Sequence, residues 1–544
     1  MRTAELFIRC LENEGVEYIF GIPGEENIDV MDALLESKIK FVTTRHEQGA
    51  AFMADVYGRL TGRAGVCLAT LGPGATNLVT GFADANMDRA PIVGIAGQGA
   101  TTRMHKESHQ VLDLVNLFDP ISKYAIQIRE PEVVPEIVRK AFKDAEAEKP
   151  GGSFVSFPEN IAGQDVEEKR PLKVQSAKHP LAPADKIRQA ADLIGSARYP
   201  VVMAGNGVVR GGASAQLISF AEKLNLPVAT TFMAKGAMPF SHSHSLGTVG
   251  LQARDYVTCG FDRADVVICV GYDMVEYHPH LWHPNNDKKI IHIDMSYAEV
   301  DEHYILACGV VGDIAASLDA IAELARPQTE FSASGLRKTI VDDHSEHAHD
   351  NGFPIKPQKI IWDLRQALNP EDIVISDVGA HKMWMARMYQ AEAPNTCIIS
   401  NGFASMGIGV PGAIAAKLVH PERTALTVTG DAGFLMNSQE IETALRLGVA
   451  IVILIWTDSK YGLIKWHQLR NFGRESHIDF TNPDFVKYAE SFGGKGYKVN
   501  AADELAPTLK QAIADDTVVI IDCPVDYEEN MKFTQKAGNL VCPI

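Results

Sequence analysis

Short runs of β-forming apolar residues alternate with amphipathic helical stretches along nearly the whole chain, and this rhythm restricts the fold more than any other feature. Examples are AGVCLAT (64–70), APIVGIAG (90–97), YPVVMAGNG (199–207), ADVVICVG (264–271), KIIHID (289–294), DIVISDVG (372–379), TALTVTG (424–430) and VAIVILIW (449–456). Continuous apolar runs separated by helices belong to parallel sheets covered on both faces. A chain of 544 residues is also too long for one core, at roughly one domain per 150 residues. Two polar stretches break the rhythm, 166–184 and 327–357, and read as linkers. The expected fold class is therefore α/β, with three domains each built on a parallel sheet flanked by helices: 1–165, 185–326 and 358–544. In such sheets ligands bind where strands end, so the loops after strands are the places to search.

Composition narrows the function. The net charge is −18 with no Lys/Arg-rich run, which argues against nucleic-acid and membrane-surface partners. The longest apolar run, 449–456, is too short to cross a bilayer. The first residues mix charges with apolar positions at helical spacing, unlike a signal peptide. Eight cysteines are scattered without a CxxC pair, a pattern that suits reduced core thiols in a cytoplasmic protein.

Two strand ends carry candidate chemistry. In TGDAGFLMN (429–437) small residues leave backbone N–H groups open to an anion. Asp431 in the same turn would repel a phosphate unless a hard divalent cation bridged the two. Asp458 stands 27 positions later, after one helix and one strand, which returns it to the same sheet edge. Ordinary Gly-Asp turns are the plainer alternative. In FVTTRHEQGAAFMADVYGRLTG (41–62), Glu47 follows a strand and opens a helix of small residues; alone, it reads equally well as a carboxylate facing a helix dipole. The nearby LGPGATNL (71–78) is another strand-end loop, and His109 and Gln110 lie in a polar segment open to a pocket or to solvent.

Together these pieces resemble the thiamine-diphosphate (ThDP) enzymes, specifically the acetolactate synthase family. The likeness is carried by FGIPG, TRHEQGAAFMADVYGRLTG, GPGATNL, SHQVLD, VICVGYDMVEYHPHLW, SDVGAHKMWMA, SNGFASMGIGVP, GDAG followed by WTDSKYG, PDFVKYAESFG and VIIDCPVDY, in that order. The segments VGYDMVEYHPHLW and WTDSKYGLIKWHQL look most like the catabolic branch, which does without FAD. The resemblance implies a pyrimidine-binding domain, a Rossmann-like central domain and a diphosphate-binding domain. It implies Mg²⁺ held by Asp431, Asp458 and the backbone carbonyl of Lys460, and a diphosphate met by Gly379, His381, Gly430, Ala432 and Gly433. Pro73, Asn77 and Tyr461 join the cofactor contacts, and Met406 would wedge between the two cofactor rings to force a bent shape. Glu47 would be the activating carboxylate on the aminopyrimidine ring, with Gln110 near the reacting carbon. The implied reaction joins two pyruvates into 2-acetolactate with loss of CO₂, in a site between two subunits of a homodimer or homotetramer. The rival within the family is a 2-oxo acid decarboxylase that releases an aldehyde; outside it stand a flavin or nicotinamide oxidoreductase and a non-catalytic regulator.

Several departures bear on substrate choice. GDA replaces GDG, which is tolerable if Ala432 keeps a negative φ, and TD replaces an Asn pair. Glu25 and Glu26 stand where close catabolic members have a small residue and a lysine. Phe403 and Ala404 replace a motif that contains Gln, and Trp466 and His467 fall where specificity residues sit. AGNGVVRGG (204–212) hints at a dinucleotide turn but lacks a well-placed acid at the next strand end, so FAD is not expected. DDHSEHAHD (342–350) is expected to be a solvated turn and EYHPHLWH (276–283) structural.

Overall fold

The computed structural model describes residues 1–175, 179–250, 255–329 and 333–531. They form three six-stranded sheets in which every strand pairing is parallel. The first sheet contains β1 (Tyr18–Gly21), β2 (Lys40–Thr43), β3 (Gly65–Ala69), β4 (Ile92–Gln98), β5 (Tyr124–Gln127) and β6 (Gly152–Pro158), in the order 2-1-3-4-6-5. The second contains β7 (Pro200–Ala204), β8 (Val228–Thr230), β9 (Ser245–Thr248), β10 (Val266–Val270), β11 (Lys289–Asp294) and β12 (Leu306–Val311), in the order 12-11-10-7-8-9. This is the strand order of doubly wound dinucleotide-binding sheets. The third contains β13 (Ile373–Ser376), β14 (Cys397–Ile399), β15 (Ala425–Gly430), β16 (Val452–Thr457), β17 (Lys495–Lys498) and β18 (Val519–Pro524), in the order 14-13-15-16-18-17. Counted from its own first strand, the third sheet repeats the order of the first.

The central strands are buried along their length, β3, β4, β6, β7, β10 and β13 completely, as sheets covered on both faces require. The first and third domains share one apolar core. The helix Glu47–Thr61 contributes Ala50, Ala51, Ala54 and Val56 to it, and the helix Gly409–Val419 contributes Ala413, Ile414, Ala415 and Ala416. Small side chains let these two backbones approach closely: a Cβ added at Gly412 would stand 3.1 Å from Val56 Cγ2.

Two expectations need correction. The stretch 327–357 carries the helix Ser334–Ser345, and His344 is buried on it rather than solvated. Its Nδ1 bonds the Ile340 carbonyl at 2.8 Å and its ring packs on Phe240 at 4.7 Å. The local run of charges hid the apolar face formed by Leu336 and Ile340. Six cysteines are buried free thiols, as expected, but Cys259 is disulfide-bonded; spacing along a chain does not say which thiols meet. Cys542 and the end of the third domain, 532–544, lie outside the described residues. Among the described residues no helix is long and apolar enough to cross a membrane.

Candidate active site

Asp431 follows β15 directly, and the helix Asp431–Asn437 begins at Asp431 itself, with Gly430 as its cap. Ala432 thus lies inside a helix, where its methyl is welcome. The Asp431 carboxylate is a hub. Its Oδ2 accepts the backbone N–H of Ser459 at 2.7 Å, that of Asp458 at 3.2 Å and the Asn482 amide at 2.8 Å. These bonds draw the ends of β15 and β16 together, so Asp431 and Asp458 are neighbours at one sheet edge. Burial raises the pKa of both, and for Asp458 the neighbouring Asp431 adds to it, lifting that group to about 7. Two carboxylates held this close resist double ionisation until a cation joins them. The Lys460 carbonyl lies at the same edge and accepts the Gly462 N–H at 2.9 Å. The Lys460 ammonium points elsewhere, to Glu475 at 2.8 Å and Asp479 at 2.9 Å. Tyr461 packs on Phe480 with ring centroids 5.2 Å apart.

His381, in the first turn of the helix Ala380–Met388 that follows β13, reaches the same edge. It is buried, and burial drives its pKa down to about 3, so the ring is neutral. Among the described residues its Nε2 is buried without a hydrogen-bond partner. A Cβ added at Gly430 would stand 3.4 Å from His381 Nδ1, and one at Gly379 2.9 Å from its Cε1. The glycines leave the imidazole room against the Gly430 turn, and a buried orphan nitrogen calls for an acceptor or donor from a ligand.

Asp377, two residues before Gly379, organises the loop that carries Met406. Its carboxylate accepts the N–H groups of Gly407 at 2.9 Å and Gly409 at 3.0 Å, and a Cβ at Gly433 would approach its Oδ1 to 3.1 Å. The same loop is anchored to the first domain. Half-buried Arg59 pairs with buried Asp55 at 2.7 Å, Asp88 at 2.9 Å and Asp84 at 3.1 Å. Asp84 then takes the Ser400 hydroxyl at 2.6 Å and Asp88 the Asn401 N–H at 2.9 Å. Within the loop Ala404 is held at φ 55° and Phe403 is exposed. Trp466 is buried and His467 half-buried on the helix Gly462–Phe472.

In the first domain Glu47 is the first residue of the helix Glu47–Thr61 and is buried. Its Oε2 accepts the Asn77 amide at 3.0 Å, and a Cβ at Gly74 would stand 3.3 Å from its Oε1. Pro73 opens the helix that carries Asn77. Gln110 is exposed with φ 57°, and its carbonyl lies 2.8 Å from where a Cβ on Gly72 would be, so it packs against the turn that opens the Asn77 helix. Glu25 is exposed. Glu26 is not: it is buried, accepts the Thr70 hydroxyl at 2.8 Å and lies 3.5 Å from Arg103.

Most of the residues singled out in sequence fall into two groups by their place in the fold, with Glu25, Phe403, Ala404, Trp466 and His467 in neither. One holds Gly379, His381, Met406, 430–433, Asp458, Lys460 and Tyr461; the other holds Glu47, Pro73, Asn77 and Gln110. Among the described residues, no hydrogen bond from Glu47 reaches the Asp431 cluster.

Comparison with known proteins decides the family. Models of the thiamine pyrophosphate enzymes match in three pieces: the N-terminal TPP binding domain over 1–117, the central domain over 187–321 and the C-terminal TPP binding domain over 377–523. Acetolactate synthase from Bacillus subtilis is 38% identical over 97% of this chain and 94% of its own length. The chain belongs to the acetolactate synthase family of thiamine pyrophosphate enzymes. A probable acetolactate synthase large subunit from Methanocaldococcus jannaschii is 36% identical over all of this chain and 96% of its own. A catabolic acetolactate synthase from Raoultella terrigena is 35% identical over 97% of this chain and 95% of its own.

For this family the residues present fit the cofactor: among the described residues, an orphan imidazole nitrogen beside the Gly430 turn, and a carboxylate pair in which burial and the neighbouring Asp431 raise the pKa of Asp458. Sequence reasoning missed Asp377, Asn482 and Glu440. Asp377 stands in the DVGAH motif already singled out, at a strand end facing the same edge; Asn482 directly precedes the PDFVKYAESFG motif.

The central domain's dinucleotide-like turn is filled from within. Both Glu276 carboxylate oxygens accept the Asn206 N–H at 3.1 Å, and the Thr231 hydroxyl joins them. A Cβ at Gly205 would lie 2.5 Å from the Gly271 carbonyl, so this glycine serves the strand crossing itself.

Proposed function

We propose that this chain is an acetolactate synthase that joins two pyruvates, with loss of CO₂, into 2-acetolactate. The near full-length match to acetolactate synthases carries the reading, and the two clusters of suitable residues support it. When bound, thiamine diphosphate supplies a nucleophilic carbon that adds to the keto group of a 2-oxo acid, and an electron sink for the charge left as CO₂ departs. Asp431, Asp458 and the Lys460 carbonyl would hold Mg²⁺, whose preference is for oxygen ligands. His381 and the amides of 430–433 would hold the diphosphate, and Met406 would support the rings. Glu47 would hold a proton at the pyrimidine ring nitrogen, with Asn77 fixing its rotamer. Gln110, Glu25, Phe403, Ala404, Trp466 and His467 would shape the pocket for the two 2-oxo acids.

The two clusters belong to different domains, and we place the working site between two copies of the chain, in a homodimer or a pair of homodimers. Exposed Leu435, Met436, Ile464 and Phe472 on the third domain support this, as apolar surface beside the Asp431 and Asp458 loops. FAD is not part of the reading, because the Glu276 carboxylate fills the turn a dinucleotide phosphate would need. Six buried free thiols against one disulfide-bonded cysteine among the described residues suit a cytoplasmic location. Incubation of the protein with pyruvate, ThDP and Mg²⁺ tests the activity. The expected product is 2-acetolactate, converted by acid to acetoin; free acetaldehyde as the main product would overturn it.

A further inference from the structure

We propose that Glu440 is a positioning residue that sets the activating glutamate, Glu47, from the opposite domain of the same chain; this rests on the role given to Glu47 above. Glu440 opens the helix Glu440–Leu447 in the third domain, just beyond the helix that starts at Asp431, and is 0% exposed. Its Oε1 accepts the backbone N–H of Arg45 at 3.0 Å and that of His46 at 3.0 Å. Its Oε2 takes the Arg45 N–H at 3.2 Å and the Thr443 hydroxyl at 2.6 Å. Arg45 and His46 are the two residues before Glu47, and His46 caps the helix by accepting the Gln48 N–H on its Nδ1 at 3.0 Å.

The N–H groups at the start of a helix have no partner within it. Here a buried carboxylate supplies one, and such charge-assisted bonds are stronger and more directional than neutral ones. The contact needs space that the sequence provides: a Cβ on Gly49 would lie 2.8 Å from Glu440 Oε1. A second tie runs in parallel, from the Arg446 guanidinium on the same helix to the Thr43 carbonyl at the end of β2. The peptide just before Glu47 is therefore clamped by the third domain. A carboxylate meant to meet one ring nitrogen needs its backbone fixed this closely, because small misplacements are costly in rate.

Hydrogen exchange of the cofactor-free protein, read by mass spectrometry over the 43–48 peptide, reports the clamp. Deuterium exchange at the thiazolium C2 of bound ThDP reports whether Glu47 is correctly placed. Glu440→Gln keeps the size but presents an NH₂ group to two donors. It is expected to lose protection of the 43–48 peptide and to slow C2 exchange about tenfold at saturating cofactor. Gly49→Ala, which presses on the same oxygen, is expected to act in the same direction and serves if Glu440→Gln does not fold. Glu47→Gln is expected to lose C2 exchange with the 43–48 peptide still protected. A purely structural Glu440 would lower the melting temperature and leave C2 exchange at the wild-type rate, which would overturn the proposal while Glu47→Gln still upheld the role of Glu47. Wild-type C2 exchange in Glu47→Gln would overturn both.

Discussion

The first and third sheets have the same strand order and differ in what stands at corresponding strand ends. After its second strand the first domain places Glu47 at the start of a helix; the third domain places there the 400–408 loop with Met406, then the helix Gly409–Val419. These two helices pack into one core. After its third strand the first domain has the uncharged Gly72–Pro73 turn, while the third has Gly430 and Asp431. After its first strand the third domain has Asp377, a buried hub for backbone N–H groups, where the first has Glu26 against Thr70 and Arg103. One topology thus serves two tasks. The strand ends of the third domain suit the holding of a charged group, and those of the first suit the delivery of one carboxylate to one atom. The fold sets where such residues can stand, and the residue types decide the chemistry.

That division can be broken by substitution. Glu47→Gln removes only the proposed proton-handling group and is expected to lower kcat on the order of 10²–10⁴-fold, with ThDP affinity within a few-fold of wild type. Steady-state kinetics and cofactor titration check this, and a large loss of affinity would blur the distinction between the domains. Asn482→Ala acts on the other side. Without its bond to Asp431, apparent Mg²⁺ affinity is expected to fall about 10–100-fold, with kcat recovered at saturating metal and cofactor. Asp377→Ala leaves the N–H groups of Gly407 and Gly409 unmet and is expected to cost at least about 1–3 kcal/mol in denaturant unfolding. The smallest effect belongs to Ala404, held at φ 55°. Ala404→Gly relieves a left-handed conformation and is expected to stabilise by about 0.5–1 kcal/mol, read as a modest rise in melting temperature.

The alternation of apolar runs and helices was enough to anticipate three parallel sheets, because buried strands between helices have few other solutions. Asp431 and Asp458 were legible as a pair because strand, helix and strand return the chain to the same edge. Glu440 was not legible. Its partners are backbone N–H groups nearly 400 positions away, and a contact to backbone imposes no pattern on the partner side chains. Asp377 escaped notice for the same reason, since it binds N–H groups of two glycines. His344 was misjudged because a helix with one narrow apolar stripe reads, locally, as a charged turn. In the central domain the glycine turn only hinted at a dinucleotide, and what its N–H meets is a buried carboxylate 70 positions on, which no local pattern announces.

The central claim is that the Glu47 of one chain works with the Asp431 loop of another. Co-expression of Glu47→Gln and Asp431→Ala chains under separate tags, with 2-acetolactate formation from pyruvate as the readout, tests it most directly. Each variant alone is expected to be inactive. Random pairing should restore about a quarter of wild-type activity, because half of the dimers then carry one intact site out of two. Absence of recovery in a verified mixed dimer would place Glu47 and Asp431 in the site of a single chain and contradict the account.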